Sequence, residues 1–365
     1  MGNDFFLEIE CATPKEFLNH LIPWNSDFDV SSYVFRGHSS DSYKLIPTAM
    51  RHGLTDKEIF SISTRGFNSK SKFHGPMRKV VSAGKILKLH QINAEYDVLR
   101  KFYIKSNSFG LYVPKSSIIA HNMEQDPIVG LPVLKLYGSE NWMSKPIAEV
   151  AALAQHYGLP TRLLDWTYNP QVAAYFASSK IKDHYSDDAY ISVWMLNIKS
   201  LSKILDKNKS LFKIYNPHYQ WNDNLISQRG LFTYIEDEKL SETRKLQVKF
   251  LNAMIKDDSV LNSEEYKNLF FERDKGMDSF IADEVEKFMA GPELEENNSK
   301  IISNLLVKIK IKAKHSIKIN EMLRAMNFSE ATIYPGYKGV ADDIWHAART
   351  RVVQRSSSSD FVYIK

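Results

Sequence analysis

Groups that can recognise an anion and act on a sugar crowd into one stretch of this chain. Gln155-His156-Tyr157-Gly158-Leu159-Pro160-Thr161-Arg162-Leu163-Leu164-Asp165-Trp166-Thr167 interleaves imidazole, hydroxyl, guanidinium, carboxylate and indole with glycine, proline and leucine. A solvated loop does not mix Leu-Leu with Asp-Trp, and a plain core strand does not carry Arg and Asp three apart. The pattern is that of a chain passing through the core and delivering polar groups to a cleft wall. A second arginine, Arg36, follows the strand-like run Tyr33-Val34-Phe35 and precedes Gly37, so it stands at a strand end. A fixed, planar guanidinium there suits bidentate recognition of a phosphate or carboxylate.

Other chemistries lack their residues. There is no His-Glu-x-x-His and no tight His/Asp cluster, so no metal is expected. Gly37-His38-Ser39-Ser40 is not a Gly-x-Ser-x-Gly nucleophile elbow. Neither a Gly-x-x-x-x-Gly-Lys-Ser/Thr loop nor a Gly-x-Gly-x-x-Gly turn is present, which removes P-loop and Rossmann cofactor sites. Structural roles compete at each position. Arg36 and Asp165 can be an ion pair that pins two strands, and Arg162 and Asp165 a local pair. Trp166 can anchor a core, and His156 can cap a helix end.

Local signals place these residues. Residues 149–156 read as the end of a helix, with Gly158 as terminator and Pro160 barring re-entry. Asn169-Pro170 reads as the N-cap and first turn of the next helix, which carries the small-residue face Val172, Ala173, Tyr175, Phe176, Ala177. Residues 161–167 are then expected to be a bent connector between two helices. Residues 188–197 form the strongest strand pattern, apolar at most positions and so expected to be central. Val307-Lys308-Ile309-Lys310-Ile311-Lys312 alternates strictly and predicts a half-exposed strand with its lysines outward.

These residues resemble the FRG-domain family, named for an aromatic-Arg-Gly motif. That motif stands here as Phe35-Arg36-Gly37, running on through Leu45-Ile46-Pro47 to Arg51. A second signature resembles residues 155–167, a third Gln228-Arg229-Gly230-Leu231-Phe232-Thr233, and a fourth residues 331–341. The layout also looks like that of NAD-using ADP-ribosyltransferases. In those enzymes one strand ends in Arg-Gly, a second ends in a hydroxyl-bearing turn before a helix, and a third supplies Glu or Gln. The resemblance implies catalytic roles for Arg36, Thr167 and Gln228, with Glu330 a nearby acid. It implies ligand-binding roles for Phe35, Gly37, His156, Tyr157, Thr161, Arg162, Asp165, Trp166 and Phe232. Trp166 or Tyr168 would stack on the nicotinamide of NAD as co-substrate. A toxin or anti-phage defence setting, with a macromolecular acceptor or protein partner, is part of the same implication.

The chain has 365 residues, 43% of them hydrophobic and 12% aromatic, enough for a substantial core. A formal charge of +5 permits a nucleic-acid or nucleotide partner without requiring one. Ten Lys or Arg against two acids over residues 65–105 could face RNA, or could be a solvated helix face. Cys11 is the only cysteine, which fits a reducing compartment. The first ten residues do not read as a signal peptide and no run of 18 apolar residues occurs, so a cytoplasmic location without a membrane span is expected. The fold class expected is α+β, a mixed sheet flanked by helices. Residues 1–235 and 301–365 would form the FRG-type core, and 236–300 an inserted acidic helical subdomain that could dock a partner.

Overall fold

The structure is a computed structural model. It describes residues 5–51, 59, 76–116, 142–180, 186–218, 223–236, 240–272, 274–290 and 296–357. The strands are β1 (Phe6–Cys11), β2 (Tyr33–His38), β3 (Leu164–Thr167), β4 (Tyr190–Asn197), β5 (Phe212–Tyr215), β6 (Gly230–Ile235) and β7 (Leu306–Lys312). The first helices are α1 (Pro14–Asn19), α2 (Pro76–Ser82), α3 (Lys88–Ser108), α4 (Lys145–His156), α5 (Pro170–Ser178), α6 (Ile198–Asn208) and α7 (Asp223–Gln228). They are followed by α8 (Leu240–Lys256), α9 (Met277–Met289), α10 (Glu296–Ile302), α11 (Ser316–Ala325), α12 (Glu330–Ile333) and α13 (Tyr337–Ser357).

The fold is α+β. One seven-stranded sheet runs in the order β1-β7-β4-β2-β3-β6-β5. The β1–β7 pair is parallel and the other pairs are antiparallel. Alternation along the strands feeds a core on each face. Tyr33, Phe35, Val193 and Ile309 meet Val172, Ala173 and Ala177 of α5 on one side. Val34, Leu164, Trp166, Leu196 and Leu231 meet α6 and α9 on the other. Among the described residues, no helix is long and apolar enough to cross a membrane.

Local signals for α4 and α5 hold. The helix α4 ends at His156, and Gly158 follows in the left-handed region at φ +88°. The Asn169 carboxamide accepts from the Gln171 and Val172 amides at the start of α5. Gly37 has a tertiary reason. A Cβ there would lie 1.9 Å from the Ala173 carbonyl oxygen and 2.7 Å from the Ala177 amide, so α5 lies directly on β2 only because position 37 lacks a side chain.

Three expectations are corrected. Arg36 does not stand at a strand end, because β2 runs on through Gly37 to His38, paired with β4 as far as His38↔Ser192. Residues 164–167 are not part of a bent connector but a strand, fully paired with β6 from Leu164↔Thr233 to Thr167↔Gly230. Two alternations are too few to stand out against the flanking helices. The strand β7 is not half-exposed. It lies between β1 and β4, and Lys308 is buried. Its lysines find carboxylates instead of water: Lys308 pairs with Asp41 at 2.6 Å and Lys310 with Glu8 at 2.6 Å. The parallel register sets Glu8 and Glu10 of β1 beside these lysines.

Residues 236–300 divide between two cores. Phe250, Met254, Tyr266 and Leu269 pack with Val80 and Leu87 in a small cluster of their own. Met277, Ile281, Val285 and Phe288 of α9 join the core over the main sheet. Residues 112–137, whose lack of periodicity predicts a long loop, fall largely outside the described residues, and the chain's last residues, whose pattern predicts a short aromatic strand, fall entirely outside them.

Candidate functional site

The middle of the sheet is split. The β2–β3 register holds the single pair Phe35↔Thr167, and neither Arg36↔Trp166 nor Gly37↔Asp165 follows it. The Arg36 side chain fills the gap. Its Nη1 donates to the Asp165 main-chain carbonyl at 2.7 Å and lies 3.4 Å from the Asp165 carboxylate. The side chain thus satisfies the carbonyl that the ladder leaves unpaired where the strands part. An open cavity of about 420 Å³ occupies the split.

The polar part of the cavity lining includes Arg36, His38, Arg51, Gln155, Asp165, Lys180 and Gln228, with Phe176 and Tyr334 among the aromatics. Arg36 Nε donates to His38 Nε2 at 3.0 Å. Burial, with Arg36 and Arg51 nearby, pushes the His38 imidazole down to about 3, so it is neutral and able to accept. Burial also lowers the Arg36 pKa, Asp165 opposes that, and Arg51 adds to it. Two guanidiniums thus border one cavity, and among the described residues that line it Asp165 is the one carboxylate. That carboxylate is half out in solvent, at 57% side-chain exposure, so this is no sealed ion pair.

A relay fixes Asp165 from behind. The Thr161 hydroxyl donates to Gln155 Oε1, and Gln155 Nε2 donates to Asp165 Oδ1. Thr161 itself is buried and accepts from the Leu163 amide at 3.2 Å. His156 borders the cavity at the end of α4. Its Nε2 meets the Asn224 carboxamide, and burial lowers its pKa against the pull of Asp165.

Thr167 lines the cavity, but its hydroxyl is engaged. It donates to the Gln228 carbonyl at 2.5 Å and accepts from the Asn169 amide at 2.9 Å. The Gln228 side chain reaches the Ile333 carbonyl at 3.4 Å. Thr167 therefore ties the second and third motifs together at the head of β6.

Other sequence-predicted residues lie elsewhere. Arg162 is buried away from Asp165 and forms a bidentate pair with Glu95, at 2.8 and 3.1 Å, over the Trp142 ring. It borders a different cavity. Phe232 is in the core, its ring stacked on Tyr215. Tyr157 is exposed, edge-on to His156. Phe35 is buried in the core and Gly37 is filled by α5, although both touch the cavity floor. Trp166 also borders the cavity, but its ring is buried in the core, with its Nε1 donating to Thr233 at 2.9 Å. Tyr168 donates to Asn216 at 2.8 Å. Neither is available to stack in the cavity. Phe176 and Tyr334, edge to face at 6.3 Å, provide that surface instead. Phe176 was signalled only as part of the helix face after Asn169-Pro170, and Tyr334 only as part of the fourth motif.

Glu330 does not line the cavity. It is buried, 2.7 Å from Arg324 and in contact with His346. Burial pushes its carboxyl up, but His346, a main-chain amide and Tyr175 outweigh that and hold it at about 2. Arg324 also reaches Asp343 at 2.7 Å, so the cluster fastens α13 to α11 and α12. In the basic stretch, Lys79 pairs with Asp258 at 2.5 Å and Lys85 donates to the Leu261 carbonyl at 2.8 Å. These two lysines are committed to packing against residues 258–262. Among the described residues, one group, Cys11, Glu16 and His20, brings three potential metal ligands within 4.8 Å of one another. Cys11 packs in the core, and Glu16 already accepts from the Ala12 amide.

The segment that supplies α4, β3 and α5 to this cavity also carries the comparison. Residues 133–186 match the FRG domain. The FRG match contains Gln155, His156, Asp165, Thr167 and Phe176. The aromatic-Arg-Gly run at 35–37, Gln228 and Tyr334 reach the cavity from outside the matched span. The match supports the family resemblance drawn from the motifs. No curated protein and no solved structure matches the chain.

Proposed function

We propose that the chain is an ADP-ribosyltransferase-like protein that takes NAD into the cavity between β2 and β3 and breaks its nicotinamide–ribose bond. The observation that carries this reading is adjacency. Arg36, Thr167 and Gln228 stand on, or just ahead of, three neighbouring strands, β2, β3 and β6, and all border one cavity. That is the order expected of an NAD site read from the motifs. Arg36 and Arg51 give the cavity the charge that a diphosphate needs. Phe176 and Tyr334 offer flat apolar surface to a nicotinamide or adenine ring. A volume of about 420 Å³ falls in the range of small-molecule sites.

Gln228 stands where an acid would be most useful, and Glu330 is committed elsewhere, so the residue that handles the sugar is not the one the layout first suggests. An NAD-consuming effector acting on a macromolecule, in a toxin or defence setting, is the context the FRG resemblance offers. Incubation with NAD labelled in the adenylate and in the nicotinamide tests the reading. Label transfer, nicotinamide release or retained nucleotide is expected. Absence of all three would overturn it.

A further inference from the structure

Resting on the NAD reading above, we infer that Asp165 is the catalytic carboxylate of this cavity, and that Gln155, braced by Thr161, is its positioning residue. Asp165 is the one carboxylate among the described residues that line the cavity. Its two oxygens are differentiated. Oδ1 accepts from Gln155 Nε2, while Oδ2 is turned toward Arg36 at 3.4 Å. The main chain at the same residue is clamped by the 2.7 Å bond from Arg36. The carboxylate is therefore held at both ends of its residue, yet more than half exposed.

The relay behind it is directional. The Thr161 hydroxyl donates to the Gln155 carbonyl oxygen, which forces the Gln155 NH₂ toward Asp165. Thr161 is buried and fixed by the Leu163 amide, so the carboxamide cannot flip without losing a bond at each end. Arg36 of β2, His156 at the end of α4 and Tyr334 after α12 face Asp165, and Arg51 and Lys180 border the same cavity.

The step this serves is heterolysis. The ribose C1′–N bond of NAD breaks and its electron pair leaves with nicotinamide, which departs neutral. The Asp165 carboxylate stabilises the positive charge on the ribose and accepts the proton of the incoming nucleophile, water or an acceptor group, as the new bond to C1′ forms. With water the products are ADP-ribose, nicotinamide and one proton.

The test uses the full chain, NAD for turnover and carba-NAD, whose glycosidic bond cannot be cleaved, for binding. Asp165→Asn should bind carba-NAD as the wild type does and release nicotinamide about 100- to 1,000-fold more slowly. Gln155→Ala should lower kcat with little change in KM. Gln155→Glu sets a like charge on the carboxylate and should move the acidic limb of the pH–rate profile to higher pH. It keeps the question answerable if Asp165→Asn does not fold. Wild-type turnover in Asp165→Asn, or loss of carba-NAD binding in it, overturns the catalytic role while the NAD reading stands. An unmoved pH profile in Gln155→Glu overturns the positioning role. A wild-type chain that neither binds carba-NAD nor releases nicotinamide sinks both.

Discussion

Arg36 donates from Nη1 to the Asp165 carbonyl at 2.7 Å, across strands that pair at the adjacent Phe35↔Thr167 and then part. The guanidinium thus does two jobs. It replaces a missing ladder hydrogen bond and it presents charge to the cavity that the missing bond creates. Arg36→Ala should lose nucleotide binding and also lower stability by about 1–3 kcal/mol, because the Asp165 carbonyl and His38 Nε2 lose their donor. Equilibrium denaturation beside carba-NAD titration checks both. A variant that loses binding with no change in stability would mean that the split is held open by something else.

Gly37→Ala should be far more damaging than its size suggests. The added methyl would sit 1.9 Å from a main-chain oxygen of α5, which cannot move without displacing the helix from the sheet. A loss of about 3 kcal/mol or more is expected, seen as a lower denaturation midpoint. A near-neutral effect would show that α5 is free to shift.

His38 makes the fold acid-sensitive. Its imidazole titrates near 6.5 when unfolded and at about 3 when folded, so between those values the unfolded chain binds more protons. Stability should be full above about pH 6.5 and fall as the pH drops toward 3, by an amount on the order of 5 kcal/mol from this group. His90, half-buried and pushed down to about 4 by desolvation, acts in the same direction. His38→Gln keeps an acceptor for Arg36 and should flatten part of the slope. Denaturation midpoints at a series of pH values, wild type against variant, measure it. Identical slopes would assign the acid sensitivity to other groups.

Arg162 and Glu95 form a buried bidentate pair at 4% and 1% side-chain exposure. Arg162→Ala should destabilise by about 3–5 kcal/mol, since it strands a buried carboxylate. It should leave carba-NAD binding intact in the folded fraction. Arg162→Met with Glu95→Leu, removing both charges, should recover most of the loss. Failure of the double variant to recover would mean that the Trp142 contact matters more than the charge pair.

Glu330 is the last candidate to separate. Glu330→Gln should loosen α13 by weakening its bonds to Arg324 and His346, at a cost of about 1–3 kcal/mol, with NAD turnover unchanged. Hydrogen exchange over residues 337–357 reads the first effect and nicotinamide release the second. A collapse of turnover without loosening would return Glu330 to the chemistry.

The sequence by itself determined what is decided within a few residues. Asn169 with Pro170 fixes where α5 begins, Gly158 fixes where α4 stops, and the runs at 33–36 and 188–197 mark two central strands. Capping and alternation act over one helical turn or one pleat, so they can be read without a partner. Tertiary structure decided which way each polar side chain of residues 155–167 turns. Arg162 faces Glu95 and Trp166 faces Thr233, each 67 residues away in the chain, while Asp165 faces Arg36. In a bend and a four-residue strand, side-chain direction follows from what packs on either side. That information lies in distant segments, which is why the motif located the cavity but did not say which of its members reach it.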